Sequence, residues 1–101
     1  MKPMWVYILA NRYDTVFYVG ITNDLGRRLA EHRSGSGGAF TSRYKITKLI
    51  YVEEHPRPRD AIAREKEIKG WRRDKKLALV QQMNPTLRDL APPDEPLRSP
   101  G

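Results

Sequence analysis

The stretch "VYILANRYDTVFYVG", residues 6–20, decides how the chain begins to fold. It holds two apolar runs rich in aromatic and β-branched residues, Met4 to Ala10 and Val16 to Thr22. Between them lies the turn-like Asn11-Arg12-Tyr13-Asp14-Thr15. Such runs read as strands, and a connection this short pairs them as an antiparallel hairpin. Side chains alternate along a strand. Tyr7 therefore shares a face with Trp5 and Leu9, and Tyr18 shares one with Val16 and Gly20. If the register brings those faces together, both phenols converge on one side of the sheet.

Downstream, Asn23 is a candidate N-cap and Asp24 to Arg33 reads as a helix. That helix stops at Ser34-Gly35-Ser36-Gly37-Gly38, which reads as a flexible loop. Lys48 to Glu54 reads as a third strand, and His55-Pro56-Arg57-Pro58 breaks it. Arg59 to Lys69 reads as a helix ending at Gly70, and Trp71 to Met83 as another. The order β-β-α-β-α-α predicts an α+β domain: a small three-stranded antiparallel sheet flanked by about three helices. A domain over residues 1–84 is expected, followed by a Pro-rich tail over 85–101 with little apolar content and expected mobility.

The 101 residues allow one modest core. Without cysteine, disulfides and thiolate zinc sites are excluded. The run Met4 to Ala10 is short for a signal peptide and lacks a small-residue cleavage site, and no stretch has the length of a membrane span. A cytoplasmic protein without a membrane partner is expected. Net charge is +7, from 19 Lys+Arg against 12 Asp+Glu. The tail is slightly acidic, so the excess lies in the body. A compact basic body fits a polyanionic partner, nucleic acid first, although many small cytoplasmic proteins are simply basic.

A helix turns roughly 100° per residue. Leu25 and Leu29 define the buried direction of the first helix, and His32 and Arg28 fall along it, four residues apart. A part-buried guanidinium needs an anion, either an acidic side chain of the protein or a phosphate gripped by its fork. On the next helix Ala61, Ile62 and Ile68 define the buried stripe, with Glu65 in its middle. A carboxylate there must be paired, protonated or bound to a metal. A Glu65–Arg28 ion pair would satisfy both groups without any ligand.

In order, "VYI" (residues 6–8), "YVG" (18–20), "RLAEH" (28–32) and "REKEIKGW" (64–71) resemble the GIY-YIG nuclease domain. The likeness is to its small stand-alone bacterial members and covers about residues 4 to 84. It implies a divalent-metal-dependent endonuclease hydrolysing phosphodiester bonds in nucleic acid, DNA above all. Such an enzyme would be structure-selective or weakly sequence-selective, with a role in DNA repair or processing. Tyr7 and Tyr18 stand where the family has its motif tyrosines. Arg28 stands at the family arginine, His32 at a position held by histidine or tyrosine, and Glu65 at the glutamate that holds one Mg²⁺ or Mn²⁺. Asn84 resembles an asparagine near the end of the domain, and Gly20 closes the second motif. No small-molecule cofactor is implied. Trp5 departs from the pattern, standing in place of the first motif's glycine.

In such a site a tyrosine would take a proton from water, and either phenol is a candidate. Arg28 would bind the phosphate, and His32 would relay a proton or orient a tyrosine. For binding, Phe40, Arg43, Tyr44, Lys45 and Lys48 mix aromatic and basic character, and Arg72, Arg73, Lys75 and Lys76 form a second basic cluster. Such residues supply sequence-independent phosphate contacts and stacking on unpaired bases, or else an ordinary solvated face.

Overall fold

The computed structural model describes residues 2–92. Three strands, β1 (Met4–Ala10), β2 (Phe17–Thr22) and β3 (Lys48–His55), form one antiparallel sheet in the order β2-β1-β3. The predicted hairpin is the β1–β2 pair. Val6 to Ala10 are all buried, as a central strand covered on both faces requires. Four helices flank the sheet: α1 (Leu25–Ser34), α2 (Ala39–Arg43), α3 (Pro58–Lys69) and α4 (Arg73–Met83).

The sheet separates two apolar layers. Val6, Ile8, Ala10 and Val19 pack with Ala61, Ile68 and Val80 of α3 and α4. Tyr7 and Leu9 pack on the opposite face with Leu25 and Leu29 of α1. Alternation along β1 thus delivers its odd-numbered residues to α1 and its even-numbered ones to α3.

Several expectations need correction. Asp24, not Asn23, caps α1, its carboxylate accepting the Arg27 N–H at 3.1 Å. Ile62 is 44% exposed, so the buried stripe of α3 is Ala61, Glu65 and Ile68. A further helix, α2, follows directly on the stretch Ser34 to Gly38 read as a loop, where no element was expected. Five residues cannot hold a helix alone; Thr41 and Ile46 secure this one by entering the core, with the Ile46 N–H bonded to Thr41 O at 3.0 Å.

The boundary at residue 84 also moves. Residues 85–92 fold back on the sheet, burying Leu87 and Ala91 and giving the Leu90 N–H to Leu49 O at 2.8 Å. Two polar side chains direct this return. Asn84 is buried, and its Nδ2 donates to Ile50 O (3.0 Å) and Arg88 O (2.9 Å). Ile50 is the extra residue of a bulge, since Ile8 pairs with Tyr51 but Leu9 with Leu49. Asp89 accepts two bonds from Arg33 Nη2 (3.0 and 3.2 Å), and others from the Leu49 and Ala91 N–H groups. The remainder of the Pro-rich tail, residues 93–101, lies outside the described residues.

Removing Asp89 strands a part-buried guanidinium and the Leu49 N–H. Asp89→Ala should therefore cost about 2–3 kcal/mol in urea denaturation, and Asp89→Asn distinctly less. Equal stability of Asp89→Ala and the parent protein would show the return segment to be dispensable.

Candidate active site

Tyr7 pairs with Gly20 across β1–β2, and Tyr18 pairs with Leu9 one step along the same face. The two phenols are therefore diagonal neighbours, their ring centroids 6.3 Å apart. His32 completes a cluster of three rings, 5.9 Å from Tyr7 and 5.3 Å from Tyr18. Gly20 is required by space. A Cβ there would lie 2.5 Å from Tyr7 Cζ and Oη and 2.9 Å from Tyr18 Cε1.

His32 is buried on α1 and uses both ring nitrogens. Nε2 meets Tyr7 Oη at 3.1 Å and Nδ1 meets Thr41 Oγ1 at 3.1 Å. Thr41 has one hydroxyl proton, and it goes to Gly38 O at 3.3 Å. Thr41 therefore accepts from Nδ1–H, Nε2 carries the lone pair, and Tyr7 donates to it. Both phenol lone pairs then face away from His32, toward Arg28 and Tyr18. Burial, reinforced by the Arg28 charge and opposed by Glu31, holds the imidazole below its ordinary pKa and so neutral.

Arg28 reaches the cluster from the edge of the α1 stripe. Its Nη2 donates to Gly37 O at 3.3 Å, and its Nη1 lies 3.8 Å from Glu31. Tyr7, followed by Tyr18, holds the guanidinium charged, raising its pKa against the effect of burial. Burial outweighs that guanidinium at Tyr7, pushing the phenol up to about 12. Tyr7 is therefore a proton holder at neutral pH. Tyr18 is half-exposed and is the phenol that can meet a water or a ligand.

Glu65 lies on α3, against the other face of the sheet. Among the described residues no ion pair or hydrogen bond joins it to Arg28, so an internal Arg28–Glu65 pair is not what balances these charges. Lys69 Nζ meets its Oε1 at 2.6 Å instead. Its backbone setting is firm, because Arg64 on the same helix donates to Glu53 of β3 at 2.9 Å. α3 packs most closely on β1 and β2, and β2 is the edge strand carrying Tyr18 and Gly20.

One nearly buried carboxylate, balanced by a flexible and largely exposed lysine, fits a hard divalent ion whose remaining shell is water and phosphate oxygen. It does not fit an all-protein cage. No group of three His, Asp or Glu side chains gathers among the described residues.

The expected binding residues divide. Arg43, Tyr44, Lys45, Arg72 and Lys75 are exposed. Two others are engaged within the protein. Lys48 pairs with Asp14 at 2.6 Å, while Arg73 donates to Thr15 O at 3.0 Å and to Asp14 O and lies over the Phe17 ring. Both fasten the β1–β2 turn. Lys75 stacks on Trp71 at 4.3 Å, and Lys76 is half-buried. Asn84 gives its polar atoms to backbone groups of β3 (Ile50) and of the return segment (Arg88), and not to the ring cluster.

Sequence reasoning missed Thr41 and Gly37. A Cβ on Gly37 would lie 2.6 Å from His32 Nδ1, so the glycine is needed for close packing as well as for its carbonyl. Gly37 lay within the Ser/Gly stretch read as a loop, and Thr41 just beyond it in a helix too short to show periodicity.

Two outcomes follow from this geometry. Gly20→Ala should displace the Tyr7 ring and cost about 1–3 kcal/mol by overpacking, read by denaturation and by the aromatic NMR shifts. Because the folded pKa of His32 is lowered, its contribution to stability is present above about pH 6.5 and is lost as pH falls below it. His32→Gln should therefore fall less in melting temperature than the parent protein between pH 7 and 5. Parallel declines would contradict a buried neutral His32.

The pattern of the GIY-YIG catalytic domain matches residues 3–78. A UPF0213 protein of Staphylococcus saprophyticus is 32% identical over 82 residues, covering 81% of this chain and 99% of that protein. One from Bacillus pumilus is 37% identical over 70 residues, covering 69% and 71%. The solution NMR structure of a UPF0213 protein from Bacillus halodurans superposes with a TM-score of 0.55 at 31% identity, over 83% of this chain and 88% of that one. With its three-stranded antiparallel sheet and its tyrosine pair, the chain belongs to the GIY-YIG nuclease superfamily, among the small stand-alone UPF0213 proteins.

Proposed function

We propose that the protein is a divalent-metal-dependent endonuclease of the cytoplasm that hydrolyses phosphodiester bonds in DNA during repair or processing. The observation that carries this reading is the placement of Arg28 beside two phenols on one sheet face, with His32 accepting a hydrogen bond from the inner one. Nucleic acid follows from the family and the basic body. DNA, the metal and the repair role are the finer part of the proposal.

In this reading Arg28 grips the non-bridging oxygens of the scissile phosphate, and its hold tightens as negative charge builds. Tyr18, the outer phenol, reacting as its phenolate, accepts a proton from the attacking water. Tyr7 stays protonated toward His32, so its lone pairs are left to the Arg28 guanidinium. As the water oxygen bonds to phosphorus, the bond to the departing strand oxygen breaks and that oxygen takes a proton from solvent. Glu65 would hold one Mg²⁺ or Mn²⁺ in place of Lys69, and the ion would supply Lewis-acid stabilisation of charge on the phosphate. Among the described residues no helix is long and apolar enough to cross a membrane, and the proposal requires none.

A second reading, a nucleic-acid-binding module that does not cleave, is favoured by one observation: Lys69 already neutralises Glu65. A single experiment separates the two. Labelled duplex, branched and single-stranded DNA are incubated with Mg²⁺, with Mn²⁺ and with EDTA. Nuclease action predicts cutting that EDTA abolishes and that drops about 100-fold or more in Tyr18→Phe and in Arg28→Ala. Glu65→Gln should abolish metal-stimulated cutting but keep salt-sensitive binding. Binding without cutting under every condition would establish the second reading, and equal cutting in EDTA would overturn the metal requirement.

A further inference from the structure

The described residues include five exposed large hydrophobic side chains, and three of them are aromatic rings gathered near one end of the sheet. Tyr13 is 73% exposed on the β1–β2 turn, while Phe40 (51%) and Tyr44 (44%) lie on and just after α2. The Phe40 and Tyr44 centroids are 4.9 Å apart. Cations accompany the rings: Arg12 lies over Tyr13 at 5.6 Å and Arg43 over Tyr44 at 5.7 Å. Between the turn and the end of α2 a cavity of about 260 Å³ is lined by Asn11, Arg12, Tyr13, Tyr44 and Lys45.

Both walls are built firmly. Asn11 closes the turn, its Oδ1 accepting the Thr15 and Val16 N–H groups at 2.8 and 3.0 Å and its Nδ2 reaching Thr15 Oγ1 at 2.7 Å. Arg73 and Lys48 then fasten Asp14 and Thr15 from α4 and β3. The other wall is α2, fixed by Thr41 and Ile46. Arg12, Arg43 and Lys45 take part in none of the ion pairs among the described residues. The one acidic side chain on the turn, Asp14, is already paired with Lys48.

Exposed rings carrying unpaired cations on a rigid frame match the chemistry of a nucleotide whose base faces are free. Bases in a duplex hide those faces in their stack, so a duplex could use the cations but not the rings. The two walls of the cavity belong to elements that also carry the ring cluster: Tyr18 lies on β2, one ladder pair in from the turn, and Thr41, bonded to His32, lies on α2 three residues before Tyr44. We infer that this cavity takes an unpaired base of a DNA strand, stacked on Tyr44 and Tyr13 with its phosphates on Arg12, Arg43 and Lys45. The substrate is then DNA in which an unpaired segment adjoins the cleaved phosphate. This deepens the nuclease reading and rests on it for the cleavage step, but the binding step stands apart.

The test measures binding alone, in EDTA and on the Glu65→Gln background, so that a failure to cleave cannot be mistaken for a failure to bind. Anisotropy titrations use a labelled oligo-dT, a duplex with a single-stranded arm and a blunt duplex, at one fixed salt concentration. Tyr13→Ser/Tyr44→Ser should weaken the first two by about 5- to 100-fold and leave the blunt duplex within twofold. Tyr13→Phe/Tyr44→Phe, which keeps the rings and loses the hydroxyls, should bind like the parent protein. Circular dichroism melts check that both variants fold; if the serine pair does not, each single serine variant is titrated in its place. Equal losses on all three DNAs, no loss on any, or loss in the phenylalanine pair would each overturn the inference. So would tighter Tyr13- and Tyr44-dependent binding to oligo-rU than to oligo-dT.

Discussion

The organising constraint of the site is the seat of one phenol. Tyr7 lies on a glycine, beside another phenol, and donates a hydrogen bond to a histidine that burial keeps neutral. Each of these conditions needs the others. A side chain at position 20 would evict the ring. A protonated imidazole could not accept from it. Without a threonine to fix the tautomer, the histidine could turn a proton toward the phenol and both would compete as donors. The chain Gly38 O, Thr41, His32, Tyr7 thus fixes the direction of every proton in the cluster from a backbone carbonyl outward. What remains available at its open end is a guanidinium and a half-exposed phenol, the groups a phosphate and a water require.

The two faces of the sheet divide the work. One is a phenol, imidazole and guanidinium surface backed by the apolar side of α1. The other is a hydrocarbon core under α3 and α4, beside which α3 buries one carboxylate paired with a lysine. The return of residues 85–92 and the bonds of Arg73 and Lys48 to the hairpin turn show how the body spends several of its charges. They hold irregular backbone in place, and only part of the net positive charge is left free of partners within the protein. Counting basic residues from sequence overstates a binding surface for that reason.

Much of the architecture was legible because periodicity carries it. Alternation in two short runs put both tyrosines on one face, and the observed register of Tyr7 opposite Gly20 is what makes them converge. The 100° rule put Arg28 and His32 on the inward side of α1 and found Glu65 buried on α3. It erred at Ile62, because α3 covers a narrow sheet and one edge of its apolar stripe overhangs into solvent. The illegible parts share a different cause. α2, Gly37 and Thr41 lie in or directly after a Ser/Gly-rich stretch whose order comes from tertiary contacts with His32, Arg28 and Ile46's core site, and local composition carries no trace of these. The fold-back after Asn84 depends on a bulge carbonyl and one aspartate meeting Arg33 from far along the chain. Lys69 beside Glu65 follows i,i+4 spacing and was open to sequence reasoning, but it matters only once the carboxylate is known to lack Arg28 as a partner.

The direction of the proton between Tyr7 and His32 is open to direct observation. In a ¹⁵N NMR spectrum of the imidazoles near pH 7.5, with His32→Gln used to assign the signals of the two histidines, His32 should show a protonated Nδ1 and an unprotonated Nε2. A proton on Nε2, or a cationic ring at that pH, would mean that Tyr7 does not donate to His32 and that the site is organised on some other principle.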